Sequence, residues 1–321
     1  MSEQTNIEWA TSTWNPWEGC TKVSPGCANC YAEARNRRDK LDNWGPGKPR
    51  RRTSATNWKL PRRWDDAFCE NHGPELRLPR PRIFPSLCDW LDDEVPIEWL
   101  ADFLLLIYDT PHLDWLLLTK RPENWRSRLA AALEWMRTPA GHTGAFIFVE
   151  DWLRTECPNI PANVWVGTSV EDQERANERI PALLQIPARL RFLSVEPLLG
   201  AVALRAVGKK QPQINALNGG WSVPRNGGRP LDGHRGIDWV TIGGESGPGA
   251  RPCNIKWIRD IVQLCQFIPV PVFVKQLGAF AWFSEARPRT GKKFLHPKGG
   301  DMAEWPADLR VRQFPSIPHL S

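Results

Sequence analysis

Short apolar runs alternate along the chain with longer amphipathic segments. Residues 115–118 form an apolar run that stops at polar side chains, as is typical of a strand buried on both faces of a parallel sheet. Residues 95–109 instead place apolar side chains at helical spacing. The pattern predicts strands over residues 7–14, 82–90, 114–120, 164–170, 190–197, 237–242 and 270–274, and helices over residues 31–41, 95–109, 124–137, 171–185 and 255–267.

This alternation predicts an α/β fold, in the form of a partial TIM-like (β/α) barrel of six or seven units. We assign residues 1–280 to the barrel. Residues 200–236 are rich in Gly, Pro, Asn and Arg, so we expect a long loop insertion over the mouth of the barrel, either as a lid or as a disordered insert. Residues 281–321 are expected to form a small C-terminal appendage.

Three of the eight cysteines, Cys20, Cys27 and Cys30, fall within eleven residues. Gly and Pro residues surround them, which predicts a tight loop at this point. The predicted helix over residues 31–41 follows directly. The loop therefore leads to a helix N-terminus, where spare backbone N–H groups favour an anionic ligand.

Three clustered thiolates suit two kinds of metal centre. A structural zinc site needs a fourth ligand, for which Cys69, Cys88 and His72 are the candidates. An iron–sulfur cluster held by three thiolates leaves one iron with an open position, which catalysis requires. A disulfide framework is disfavoured, because the other five cysteines are scattered and the N-terminus lacks the features of a signal peptide. We therefore expect a cytoplasmic protein with reduced thiols.

The residues around the cysteines resemble the cluster loop of radical S-adenosylmethionine (SAM) enzymes. Residues 15–20 (NPWEGC) and 27–32 (CANCYA) are most similar to the spore-photoproduct-lyase-like branch, and the whole chain resembles the phage Gp37/Gp68 family, also called the three-Cys-motif family. The resemblance continues through residues 119–122, 166–171, 194–198, 243–247 and 275–278. One departure is that the usual spacing is C-x3-C-x2-C, whereas this chain has C-x6-C-x2-C.

The resemblance implies a barrel of the radical SAM type in which Cys20, Cys27 and Cys30 hold a [4Fe–4S] cluster. The open iron would bind SAM, and an electron from an external donor would cleave SAM to a 5′-deoxyadenosyl radical. Since ligands gather at the carboxyl ends of parallel strands, polar residues there are the candidates for binding SAM. These candidates are Ser86, Thr119, Lys120, Thr168, Ser169, Ser194 and Glu196, and the candidates for substrate contacts are Arg121, Glu245, Lys275 and Gln276.

The charge balance points to a nucleic-acid partner. The net charge is +6. Residues 45–52 are strongly basic, and further arginines follow, interleaved with Trp44, Trp58 and Trp64, a combination that suits phosphates and stacked bases. The same residues also fit a solvated surface with partly buried tryptophans. No apolar run approaches the ~20 residues of a membrane span.

Two functions follow from these observations. The leading hypothesis is a radical SAM enzyme that modifies or repairs a base of DNA or RNA, or a nucleotide. The alternative is a non-enzymatic nucleic-acid-binding protein stabilised by zinc or a cluster. The chain has no P-loop, Rossmann glycine motif, H-E-x-x-H or G-x-S-x-G, which argues against several other enzyme classes.

Overall fold

The computed structural model describes residues 5–73, 79–141, 144–154, 159–210, 213–220, 236–282 and 294–316. The strands are β1 (Ser12–Thr13), β2 (Trp17–Glu18), β3 (Arg51–Arg52), β4 (Arg82–Phe84), β5 (Asp114–Thr119), β6 (Val164–Ser169), β7 (Leu190–Val195), β8 (Trp239–Gly243), β9 (Cys253–Asn254), β10 (Val272–Gln276) and β11 (Ala281–Trp282). The helices are α1 (Tyr31–Arg38), α2 (Ala55–Trp58), α3 (Leu60–His72), α4 (Ile97–Tyr108), α5 (Trp125–Met136), α6 (Phe146–Leu153), α7 (Gln173–Leu184) and α8 (Ile255–Phe267).

Seven strands form one sheet in the order β1-β4-β5-β6-β7-β8-β10. Every neighbouring pair in it is parallel, and helices follow β4, β5, β6 and β8 along the chain. The sheet is curled into a half barrel. The α/β class and the parallel, incomplete barrel expected from the sequence are therefore confirmed.

The two faces of the sheet carry different side chains. One face packs on the helices through residues such as Leu117 and Val166. The inner face holds an aromatic cluster near the amino ends of the strands, consisting of Trp9, Phe84, Leu116, Trp165, Leu190, Phe192, Trp239 and Phe273. Because successive side chains alternate along a strand, Ser169 shares the inner face with Trp165. The aromatic cluster thus closes the amino end of the half barrel and leaves polar residues at its carboxyl edge.

Several elements differ from the sequence prediction. The first strand, expected over residues 7–14, pairs with β4 only through Ser12–Thr13. Helices α2, α3 and α6 were not predicted. Helix α8 has the expected bounds. No helix in the described ranges combines the length and the apolar character needed to cross a membrane.

The described part of the insertion over residues 200–236 packs along α7 rather than across the mouth of the half barrel. Leu204 is fully buried, and the backbone N–H of Ala203 donates to the side chain of Gln173 on α7 at 2.6 Å. The expectation of a lid is therefore not met by these residues. Residues 221–235 lie outside the described part of the chain.

The segment 294–316, expected to be an appendage, completes the edge of the sheet beside β10. The backbone N–H of Val274 donates to the carbonyl of Val311 at 2.8 Å. Trp305 and Leu309 are 2% and 0% exposed, respectively. This segment is therefore part of the hydrophobic core.

Candidate site of the cysteine loop

The loop from β2 to α1, which carries the three cysteines, lies at the carboxyl edge of the sheet. Its residues contact the segments that follow β5, β6 and β8. Arg121, just after β5, donates to the Cys20 sulfur at 3.6 Å. The Asn29 side-chain amide donates to Glu245, after β8, at 3.0 Å. We call residues 20–30 the cysteine loop.

Cys20 borders a buried network of ion pairs. Arg121 donates from its guanidinium to Asp89 at 3.1 Å, and Asp89 accepts a bond from the Thr119 hydroxyl at 2.6 Å. Burial, reinforced by the Asp89 carboxylate, raises the pKa of Cys20 to about 12, and Arg121 opposes this shift only in part. The metal-free protein therefore holds this thiol protonated, and a metal ion that binds there must displace the proton.

Cys27 and Cys30 lie where the loop meets α1. Cys27 is buried, and its sulfur is 3.7 Å from the Ser24 hydroxyl. Cys30 immediately precedes the first residue of α1. Burial raises the pKa of the Cys30 thiol, whereas backbone N–H groups of the first helical turn and the charge of Lys120 act in the opposite direction. The helix N-terminus and Lys120 thus favour a negative charge at Cys30.

The N-P-W motif, residues 15–17, has a structural role beside the segment that follows β4. The Asn15 side-chain carbonyl accepts a hydrogen bond from the Leu87 backbone N–H at 2.6 Å, and Trp14 and Trp17 are fully buried. Asn15 therefore fixes the segment after β4 against the cysteine loop.

Four of the candidates for binding SAM meet at the inner carboxyl edge. The Lys120 ammonium donates to the Ser169 hydroxyl at 3.0 Å, and Ser169 is the register partner of Ser194 on β7. The Lys275 ammonium lies 2.8 Å and 3.0 Å from the two carboxylate oxygens of Glu196. These side chains form a polar group at the carboxyl edge of the sheet, which we call the polar mouth, whereas the aromatic cluster lies nearer the amino ends of the strands.

The other three candidates for binding SAM face elsewhere. The Thr119 hydroxyl is bonded to Asp89, and the Thr168 hydroxyl donates to the backbone carbonyl of Thr119 at 2.8 Å. Both residues lie on the helix-covered side of the sheet, opposite Lys120 and Ser169. Ser86 presents its backbone carbonyl to the loop, where it accepts a bond from the Tyr31 hydroxyl at 2.5 Å.

The candidates for substrate contacts also divide. Arg121 is 5% exposed and is bound to the cysteine loop and to Asp89. Gln276 is buried and donates to Glu196 at 3.1 Å. Glu245 is bound by Arg251. Lys275 is partly exposed, whereas Arg121, Glu245 and Gln276 are buried and hydrogen-bonded within the fold.

Sequence reasoning missed the residues that hold the loop, namely Glu171, Arg179 and Arg251. The Arg179 guanidinium donates to the buried carboxylate of Glu171 at 2.9 Å. Glu171 and Glu245, the partner of Arg251, lie in the motifs at residues 166–171 and 243–247 that the sequence analysis noted. The arginines gave no local signal, because their importance depends on contacts with residues far away along the chain.

A family model described as "Protein of unknown function (DUF5131)" matches residues 4–302 of the chain. The chain belongs to this family. No curated protein and no solved structure matches it. The matched region of this DUF5131 protein includes the cysteine loop, the seven strands of the main sheet and Arg251.

The donor set of the DUF5131 protein suits a thiolate-bound metal, because one loop supplies three sulfurs at the edge where ligands collect. In the part of the chain that the structure describes, no three His, Cys, Asp or Glu side chains are already grouped as ligands of a metal ion. Among the candidates for a fourth ligand, Cys88 lies beside the loop, since it pairs through its backbone with Gly19. Cys69 and His72 lie on α3.

The arginines of the basic segment of the DUF5131 protein pair with carboxylates and rings of the fold. The Arg50 side chain is 0% exposed and donates to Asp92 at 2.8 Å. Arg51 pairs with Glu18. Arg52 lies over the Trp58 ring, 4.3 Å from its centroid. These arginines stabilise the fold around the loop, and Trp58 packs against the core.

Proposed function

We propose that this DUF5131 protein is a radical SAM enzyme whose [4Fe–4S] cluster is held by Cys20, Cys27 and Cys30. The observation that carries the proposal is the position of the three thiols. They lie on one loop at the carboxyl edge of a parallel half barrel, beside the polar mouth that contains Lys120 and Glu196. The resemblance of the loop to the spore-photoproduct-lyase-like branch, and of the chain to the phage Gp37/Gp68 family, supports the same function.

The cluster, when bound, would supply the electron that cleaves SAM to a 5′-deoxyadenosyl radical. The residues of the chain would bind and orient SAM. The Lys120 ammonium, already 3.0 Å from Ser169, suits the carboxylate of the methionine moiety. Glu196 suits the ribose hydroxyls, and Lys275 holds its carboxylate in place. The aromatic cluster below excludes water from the inner end of the mouth.

A nucleic-acid base or a nucleotide is the substrate class that we propose. Support comes from the surface next to the loop. Tyr31, directly after Cys30, is 59% exposed, and an exposed aromatic residue can stack on a base. Arg37 and Arg38 on α1 are also exposed. Their ion pairs with Glu33 and Asp39 are of the exposed kind that contributes little stability, so phosphates can replace these carboxylates.

One observation favours a second candidate, a zinc-stabilised nucleic-acid-binding protein. Cys88 lies beside Cys20, and a fourth thiolate would complete a structural zinc site. Such a site would leave no open position for SAM. The two functions therefore differ in whether Cys88 is needed for metal binding.

The experiment is anaerobic reconstitution with iron and sulfide, followed by an assay for 5′-deoxyadenosine with SAM and dithionite. We expect about four irons per chain and a visible chromophore in the wild-type protein. Cys30→Ala should lose the chromophore and all SAM cleavage, whereas Cys88→Ala should keep both. Stoichiometric zinc that is lost in Cys88→Ala, with no chromophore and no SAM cleavage, would establish the second candidate instead.

A further inference from the structure

Glu245 is fixed by Arg251 at the carboxyl end of β8. The Arg251 guanidinium donates to both carboxylate oxygens, at 2.9 Å from Nε and 2.5 Å from Nη2, and the Arg251 backbone N–H donates at 2.8 Å. Burial of this carboxylate disfavours its charge, but the hydrogen bonds from Arg251 and Asn29 keep the pKa of Glu245 below its usual range. Glu245 is therefore a charged and immobile acceptor at neutral pH.

The same pair holds two points of the cysteine loop. Arg251 donates from Nη1 to the backbone carbonyl of Pro25 at 2.8 Å. The Asn29 side-chain amide donates to Glu245 and to the carbonyl of Gly249, both at 3.0 Å. These contacts lie on either side of Cys27, so the turn that carries this thiol is held at both ends.

A second glutamate holds the loop between these points. Glu171 follows β6, is fully buried, and accepts a bond from Arg179 at 2.9 Å. Its other oxygen accepts the backbone N–H of Gly26 at 3.3 Å. A Cβ atom at Gly26 would lie 2.8 Å from this oxygen, closer than real Cβ contacts allow. The loop therefore rests directly on the carboxylate.

We propose that these two arginine–carboxylate pairs, Glu171 with Arg179 and Glu245 with Arg251, set the position of the cysteine loop before any metal binds. We call them the loop anchors. Arg251 is the main positioning residue, because it contacts both Glu245 and the loop. The positioning of the loop is inferred without reference to a metal, and the inference rests on the proposed function only where it names the metal centre as an iron–sulfur cluster. Preorganisation lowers the conformational entropy that metal binding would otherwise cost.

The arginines also explain how carboxylates can lie so close to a thiolate site. Thiolates that bind a metal are negative, and an unpaired carboxylate nearby would repel them. Each glutamate of the loop anchors is instead neutralised by its own guanidinium. The anchors thus hold the loop through hydrogen bonds without adding a net negative charge.

The first measurement is the alkylation rate of Cys27 and Cys30 by iodoacetamide in the metal-free protein, followed by mass spectrometry. We expect Arg251→Ala to raise the rate at Cys27 about tenfold, since charge-assisted bonds that restrain the loop are lost. Arg251→Lys should fall between wild type and Arg251→Ala, because an ammonium cannot bond both carboxylate oxygens and the loop in the same fork geometry. Arg259→Ala is the control, since Arg259 pairs with Asp308 on the surface of α8.

Asn29→Ala provides a second variant that leaves the Glu245–Arg251 pair intact. We expect it also to raise the alkylation rate at Cys27, while the melting temperature stays close to that of the wild type. The second measurement is the iron retained after reconstitution and gel filtration, which should fall in Arg251→Ala and Asn29→Ala but not in Arg259→Ala. This readout does not depend on enzyme activity.

The outcomes separate the two proposals. Unchanged alkylation in both Arg251→Ala and Asn29→Ala would overturn the loop anchors, even if the wild-type protein binds an iron–sulfur cluster. Faster alkylation in these variants, together with no iron in the wild type, would support the anchors and overturn the radical SAM proposal.

Discussion

Gly167 lies in the middle of β6, on the inner face of the half barrel. The Phe192 ring from β7 covers it so closely that a Cβ atom at this position would overlap the ring. Absence of a side chain here lets the aromatic cluster of the inner face close over the sheet. One small residue therefore determines how the floor of the mouth is built.

We expect Gly167→Ala to lower the free energy of unfolding by about 1–3 kcal/mol, the usual cost of overpacking a core. Gly200→Ala is the matched control. The nearest atom to its Cβ is the Asp172 Cβ at 3.9 Å, an ordinary van der Waals contact. Urea unfolding, monitored by tryptophan fluorescence, measures the free energy of unfolding of both variants. Equal stability of the two variants would contradict this account of the inner face.

At the scale of residues, sequence reasoning placed Lys120, Ser169 and Glu196 at the carboxyl ends of their strands, because each ends or follows a recognisable buried strand. It did not reveal the buried ion pairs of Arg121 and Arg50. An arginine near a candidate site looks the same in the sequence whether it faces a substrate or a buried carboxylate. Asp89, the partner of Arg121, becomes its neighbour only once β4 and β5 are paired, and Asp92, the partner of Arg50, only once the segment before β3 packs against the segment after β4.

At the scale of elements, the amino edge of the sheet concentrates charge. Asp114 begins β5 and is 1% exposed. Arg80, before β4, approaches it at 3.7 Å. Burial raises the pKa of Asp114 to about 6, although the charges of Arg80, Arg189 and Arg82 lower it in part. The folded chain therefore keeps a proton on Asp114 in a pH range in which the unfolded chain has lost it.

Stability should consequently fall as pH rises from about 4 to about 6, because the folded state binds more protons than the unfolded state in this range. A shift of about two units corresponds to roughly 3 kcal/mol as an upper estimate. We expect the stability of the wild type relative to Asp114→Asn to decline by up to that amount between pH 4 and pH 7. Urea unfolding at several pH values tests this, and a difference that does not vary with pH would contradict it.

The strands with long apolar runs, β5 to β7, were predicted because burial on both faces leaves a clear pattern. Helix α3 was missed since Pro61 and several charged residues interrupt its apolar spacing. Proline is nevertheless compatible with the first turn of a helix, because a backbone N–H at this position would have no acceptor within the helix. Trp64 then packs against the core, which a reading of this stretch as a basic surface could not anticipate.

At the scale of the whole molecule, the C-terminal segment 294–316 protects an edge of the parallel sheet. Its backbone hydrogen-bonds to β10 and so pairs N–H and C=O groups that an edge strand otherwise exposes to solvent. Its side chains Trp305 and Leu309 are buried. The sequence suggested an appendage because the segment has no strand or helix pattern. Its contribution comes from packing, which local periodicity does not record.

Leu309→Ala should therefore destabilise the protein by about 2–5 kcal/mol, as expected for a fully buried leucine. Leu295→Ala provides the comparison within the same segment, because Leu295 is 95% exposed and should tolerate the change. Thermal and urea unfolding of the two variants measure the difference. A minor effect in Leu309→Ala would mean that the segment is dispensable for the core.

The contact between Arg251 and Pro25 also has a consequence for the order of events during synthesis. The two residues are separated by 226 positions along the chain. At about 5–20 residues per second, the ribosome makes Arg251 roughly 10–45 s after Pro25. All three cysteines of the loop therefore leave the ribosome long before the residues that hold them. Completion of the chain, rather than the availability of thiols, sets the earliest time at which the nascent protein can hold a metal in its final geometry.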